Sequence, residues 1–130
     1  MIDHVSIEVR DLAAAARFYE PVLAAIGHKR LVTRPTTVGF GKSYPEFWLN
    51  ERRAMTAVAP GSGLHICLRA SSTAAVDAFH AAALAGGGAS DGAPGPRPEY
   101  SPGYYAAFIR DPDGNRIEAV TFTTAGRPAE

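Results

Sequence analysis

A single cysteine, Cys67, is all that this 130-residue chain carries. No internal disulfide is available, and a reducing cytoplasm is the expected setting. Charge of one sign is missing too: 13 Lys and Arg balance 13 Asp and Glu. A nucleic-acid partner needs a basic surface, which this balance does not supply, and nothing draws the chain to a membrane surface. No apolar run approaches the ~18 residues that cross a bilayer. The opening Met1-Ile2-Asp3-His4 has no basic region followed by an apolar core, so no signal peptide is expected. What remains is a globular composition, 46% hydrophobic, at a length that suits one domain with one core.

Alternation marks the first strand. In Ile2–Val9, Val5, Ile7 and Val9 share one face, and His4, Ser6 and Glu8 share the other. Asp11 can cap a helix over about Leu12–Ile26, which Pro21 ends or kinks and Gly27 stops. Lys29–Thr33, Thr37–Gly41 and Glu46–Asn50 read as short strands separated by turns. Glu51–Gly63 reads as a linker. The order then restarts. Leu64–Arg69 places His65, Cys67 and Arg69 on its polar face, and Ser71 or Ser72 caps a helix over about Thr73–Leu84. Gly86-Gly87-Gly88 ends that helix, and a Gly/Pro-rich stretch, Ser90–Gly103, follows. Strands Tyr104–Arg110 and Arg116–Thr123 are joined by the turn chemistry of Asp111-Pro112-Asp113-Gly114-Asn115. Strand, helix and three strands thus occur twice, the third segment of the second copy being short and lost in Ser90–Gly103. Such a pseudo-repeat brings the two first strands, and with them His4 and His65, towards a common axis.

Each of three strand-like runs holds one metal-competent side chain: His4, His65 and Glu118. Two imidazoles and one carboxylate are the ligand set of a facial triad, which leaves positions open for substrate, water or dioxygen. Taking Pro112-Asp113-Gly114 as the hairpin loop sets Phe108 opposite Glu118. Tyr104, Ala106 and Phe108 then share a face with Glu118 and Val120. A one-residue slip would exchange Tyr104 for Tyr105. A carboxylate between Phe108 and Val120 needs a positive partner, either a divalent metal or Arg69 or Arg116. Taken singly, each histidine also fits an ordinary surface or hydrogen-bonded role, and Glu118 a solvated one. His28 and His80 fall on a loop and a helix and read as structural.

The stretches His4-Val5-Ser6-Ile7 with Asp11-Leu12 and Phe18-Tyr19, Leu64-His65-Ile66, and Tyr104 through Glu118 resemble the vicinal-oxygen-chelate superfamily. That superfamily takes in glyoxalase I, extradiol dioxygenases, fosfomycin-modifying transferases and bleomycin-resistance proteins. The block Asp111-Pro112-Asp113-Gly114-Asn115 with Glu118 is the most specific part. The resemblance implies an α+β fold of paired βαβββ modules, about 1–52 and 63–124. They form a cupped, mostly antiparallel sheet with helices on its outer face, in a single domain over 1–130. It implies that His4, His65 and Glu118 hold a divalent metal, Fe(II), Mn(II), Zn(II) or Ni(II), and that the chain forms a homodimer in which Glu51–Gly63 could serve as the hinge of a module exchange. Glyoxalase I-like members add a fourth ligand, a Glu, from the last strand of the first module. Here that strand is dominated by Phe47, Trp48 and Leu49, with Glu46 and Asn50 at its ends.

The expected protein is a small metal-dependent enzyme, dioxygenase-like or lyase-like, acting on a small molecule with vicinal oxygens. Tyr104 is the candidate catalytic hydroxyl. Ser6, Trp48, Cys67, Arg69 and Phe108 are candidate substrate contacts, with Phe122 as a further aromatic wall and Pro94–Gly103 as either a lid or a plain loop. The alternatives are a resistance-type protein that sequesters a ligand, and a fosfomycin-type thiol transferase. The latter would need a basic cluster, from which Lys42, Arg69 and Arg97 are too scattered.

Overall fold

The structure is a computed structural model that describes residues 1–123. The end of the second module, expected at about residue 124, lies outside the described residues. Among these residues the chain order is β1 (Val5–Val9), α1 (Leu12–Ala24), β2 (Lys29–Thr33), β3 (Thr37–Gly41), β4 (Phe47–Glu51), β5 (Ile66–Arg69), α2 (Thr73–Ala85), β6 (Ala89–Pro96), β7 (Tyr104–Arg110) and β8 (Arg116–Phe122). The strands form two four-stranded mixed sheets, ordered β1-β4-β3-β2 and β5-β8-β7-β6. In each, the first strand lies parallel to the last, and the other neighbours are antiparallel. This is the expected α+β pairing of βαβββ modules.

One hydrophobic cluster draws on both modules. Ile7, Val9, Leu49, Ile109, Ile117 and Ala119 meet Phe18, Tyr19, Val22 and Leu23 of α1 and Val76 and Phe79 of α2. The odd positions of β1, β4, β7 and β8 therefore face the helices, and the even positions of those strands face away, as alternation requires. Asp11 caps α1 by accepting from the Ala14 amide at 3.0 Å, and Ser72 caps α2 by accepting from the Ala75 amide at 3.1 Å.

Two expectations are corrected. Pro21 does not end α1: the helix runs on to Ala24, and the Pro21 carbonyl accepts from the Ala25 amide at 3.2 Å. A proline in the last turn forfeits one bond without a following helix to disrupt. The Gly/Pro-rich stretch after α2 is not a lost segment but an eight-residue strand, β6. It is an edge strand with register shifts between Ser90 and Gly92 and between Gly92 and Gly95. An edge tolerates Pro94 and Pro96 because one side of the strand has no ladder to complete.

The Asp111–Asn115 turn ties the modules together. Asp111, 4% exposed, accepts from the Tyr19 hydroxyl at 2.6 Å, from the Asp113 and Asn115 amides at 2.9 and 2.8 Å, and from the Asn115 side chain at 2.9 Å. The Asn115 side-chain amide also donates to the Glu8 carbonyl of β1 at 2.9 Å, and Arg10 Nε reaches Asp113 at 2.7 Å. Gly114 is left-handed, at φ +90, and a Cβ there would lie 2.8 Å from the Val58 carbonyl. The turn is thus hairpin chemistry on one side and a clamp on α1 and β1 on the other. No helix among the described residues is long and apolar enough to cross a membrane.

Candidate functional site

Glu118 lies in the middle of β8, with Cys67 of β5 opposite it on one side and Phe108 of β7 on the other. It is 2% exposed. An ionised carboxyl in that position needs donors, because desolvation without them is costly. It has two. His65 Nε2 lies 2.9 Å from Oε1, and the Tyr104 hydroxyl donates a short bond to Oε2. Arg116, one of the alternative partners, is engaged elsewhere: it lies 3.6 Å from Asp91 and donates to the Ser62 carbonyl at 2.8 Å. Tyr104 is the tyrosine on this face. Tyr105 points to the helix side, where its hydroxyl donates to Asp77 at 2.6 Å.

Burial, followed by the Glu118 hydrogen bond, raises the Tyr104 hydroxyl well above its usual range, so it remains a proton donor. The Cys67 thiol is pushed up to about 12, first by loss of surrounding water and then by the Glu118 charge. Although Cys67 sits on an exposed edge strand, its thiol is held protonated and is no nucleophile. Aromatic rings surround the pair. His65 and Phe108 have centroids 6.1 Å apart, Tyr104 and Phe122 5.4 Å, and Tyr100 and Tyr104 5.1 Å. The Arg69 guanidinium lies over Phe122 at 5.1 Å, and Arg97 lies over Phe108 at 5.5 Å. Arg97 also donates to the Ala93 carbonyl at 2.7 Å and the Gly95 carbonyl at 3.0 Å. The first half of the stretch read as a lid or loop is therefore fastened to the sheet.

The first module presents a different set. His4 is exposed just before β1, with Nδ1 2.7 Å from Asp3. Ser6 follows on the same face and pairs with Trp48 of β4. Registers make the two modules comparable. His4 stands two residues before Ser6, which faces Trp48, as His65 stands two residues before Cys67, which faces Glu118. Trp48 therefore occupies the place that Glu118 holds in the second module, and an indole stands where a fourth carboxylate ligand would be sought. Glu46 lies before β4 and, with His4, His65, Ile2 and Leu64, lines a cleft of about 440 Å³ between the β1 and β5 edges.

A buried carboxylate beside an imidazole supplies the oxygen and nitrogen donors that divalent ions take. His65 and Glu118 fit such an ion. Among the described residues no group of three or more His, Cys, Asp or Glu side chains is placed to hold one, while His4 and His65 line the same cleft. A hollow of about 530 Å³ opens on the helix side, and three of its polar lining residues, Arg10, Asp111 and Asp113, bond one another. It is part of the clamp. His28 is buried at 8% exposure and His80 Nε2 lies 2.8 Å from Ser90 Oγ, both away from this face. Arg34, in the turn between β2 and β3, lies over the Trp48 ring at 5.4 Å. Only the three-dimensional packing of that turn reveals it.

A glyoxalase/bleomycin resistance protein/dioxygenase superfamily model matches residues 1–119. A comparison with curated proteins returns no match. Among solved structures, a glyoxalase/bleomycin resistance protein from Albidiferax ferrireducens T118 is 31% identical. It superposes with a TM-score of 0.80 over 91% of this chain and 96% of that one. A glyoxalase/bleomycin resistance protein/dioxygenase family enzyme from Burkholderia phytofirmans PsJN is 21% identical, with a TM-score of 0.70 over 94% and 98%. A glyoxalase-related enzyme from Fulvimarina pelagi shares the fold at 15% identity, with a TM-score of 0.71 over 100% and 97%. With its fold, its paired modules and nearly its whole length matched, the chain belongs to the glyoxalase/bleomycin resistance protein/dioxygenase superfamily.

Proposed function

We propose that the protein is a small metal-dependent enzyme of the dioxygenase-like or lyase-like kind, acting on a small substrate with vicinal oxygens. His65 and Glu118 of one chain and His4 of a second copy hold a divalent ion. The observation that carries this reading is the Glu118 carboxylate, buried on an otherwise open sheet face and joined to His65 at 2.9 Å. Burying a charge there serves no packing purpose that an apolar residue would not serve better. That His4 stands exposed just before β1, the edge strand of its sheet, supports completion by a second copy. Ile2 and Leu64, 76% and 78% exposed beside the β1–β5 cleft, are apolar surface that such a copy would cover.

In this reading Tyr104 holds its proton at Oη and donates it to Glu118 Oε2, which fixes the carboxylate and leaves Oε1 towards His65 and the ion. Phe108, Phe122 and Tyr104 exclude water and stack on a flat substrate, while Ser6, Cys67 and Arg69 line the approach. A bound divalent ion would stabilise negative charge developing on a substrate oxygen or, as Fe(II), give electrons to dioxygen. The aromatic ladder Tyr100–Tyr104–Phe122 favours a second reading, a resistance-type protein that sequesters its ligand.

Metal content separates the two. Protein purified without a His-tag and loaded with Fe(II), Mn(II), Ni(II) or Zn(II) is expected to hold close to one ion per chain. His65→Ala and Glu118→Ala are each expected to hold none. Wild-type protein that takes up none of the four would contradict the enzyme reading and leave sequestration.

A further inference from the structure

The first module carries a built surface that a metal triad does not use. Trp48 lies on the open face of β4, opposite Ser6 and diagonal to His4. Its neighbour on β3 is Gly39, and a Cβ there would come within 3.0 Å of the Trp48 ring and 2.9 Å of Pro45. No side chain fits at Gly39 without moving the indole, so the glycine is what lets the ring lie across the strand. The Arg34 guanidinium sits over that ring at 5.4 Å. Arg10, Arg30 and Arg52 of the same module, and Arg53 just after it, are each within ion-pair distance of a carboxylate. Among the described residues Arg34 is paired with none, and it is exposed. A stacked guanidinium loses little freedom on binding and still offers its planar N–H edge to an anion.

We propose that Trp48 and Arg34 form the specificity subsite of the site that His4 serves, and that they select substrates with a flat unsaturated portion bearing a carboxylate. This rests on the reading of His4 as part of that site: the indole takes the flat portion, and the guanidinium takes the carboxylate. The shelf belongs to the same module as His4, so it accompanies His4 whether the site closes within one chain or across two.

Trp48 is the only tryptophan in the chain, so its indole N–H resonance reports on the shelf without assignment. The test titrates chelator-treated, metal-free protein with benzoate and with benzamide, following that resonance. Benzoate is expected to move it saturably, with benzamide about tenfold weaker, the difference a charge-assisted pair makes. Arg34→Gln is expected to abolish the preference for benzoate while the indole signal stays dispersed, and Arg34→Lys to keep part of it. Equal binding of benzoate and benzamide to wild type, or an undiminished preference in Arg34→Gln, would overturn the proposal. Because no metal is present, these outcomes are independent of whether His65 and Glu118 bind one, which metal content reports separately.

Discussion

Single buried polar residues here differ in the partners that surround them. Glu118 is ringed by Cys67, Phe108 and Val120, and its carboxyl oxygens meet His65 and Tyr104. His28 shows the opposite case. It is 8% exposed, its Nδ1 has no partner among the described residues, and burial holds its pKa below the ordinary value. The nearby Glu46 charge opposes that shift only in part. A folded pKa below the unfolded value of about 6.5 means that the unfolded chain binds the proton more readily. The contribution of His28 to stability is therefore complete above about pH 6.5 and is lost as pH falls below it. Urea midpoints are expected to drop between pH 7 and pH 5 in wild type, and to drop measurably less in His28→Leu. Identical slopes for the two proteins would show that His28 is not the group that titrates.

At the scale of elements, the turn that joins β7 to β8 does more than reverse the chain. Asp111 accepts four hydrogen bonds while buried, one of them from Tyr19 of α1. Tyr19→Phe leaves that carboxylate short of a donor and is expected to cost about 1–3 kcal/mol. Chemical denaturation reads that loss, and a change under about 0.5 kcal/mol would mean that the clamp is redundant.

The faces of β1, β5, β7 and β8 were legible in the sequence, because a half-buried strand alternates. The Phe108–Glu118 pairing followed from the hairpin loop alone. The β6 strand was hidden because Gly92, Pro94, Gly95 and Pro96 mimic a loop, and it exists because an edge strand needs only one ladder. The clamp was half legible. Asp111-Pro112-Asp113-Gly114-Asn115 announced a turn, but nothing in the sequence linked it to Tyr19 or Glu8. Arg34 was invisible for the same reason: its partner, Trp48, is distant along the chain.

For the whole molecule, the two modules share one hydrophobic cluster and yet divide the candidate ligands unevenly. The second module brings His65, Glu118 and Tyr104 together. The first offers His4, Ser6 and the Trp48 indole, with Trp48 in the place corresponding to Glu118. In the proposed site a twofold pair presents the first module of each chain to the second module of the other. The sequence held the three candidate ligands but not whether they meet within one chain or across two, because strand periodicity says which face a side chain takes and not which chain it meets.

Complementation tests this most directly. His4→Ala and Glu118→Ala chains are each expected to hold no metal when alone. Dissociated, mixed in equal amounts and reassociated, half of the pairs would be mixed. Each mixed pair would contain one intact site, from His4 of one chain with His65 and Glu118 of the other, giving about one ion for every four chains. A mixture that stays metal-free while wild-type protein loads fully would contradict a site shared between two copies.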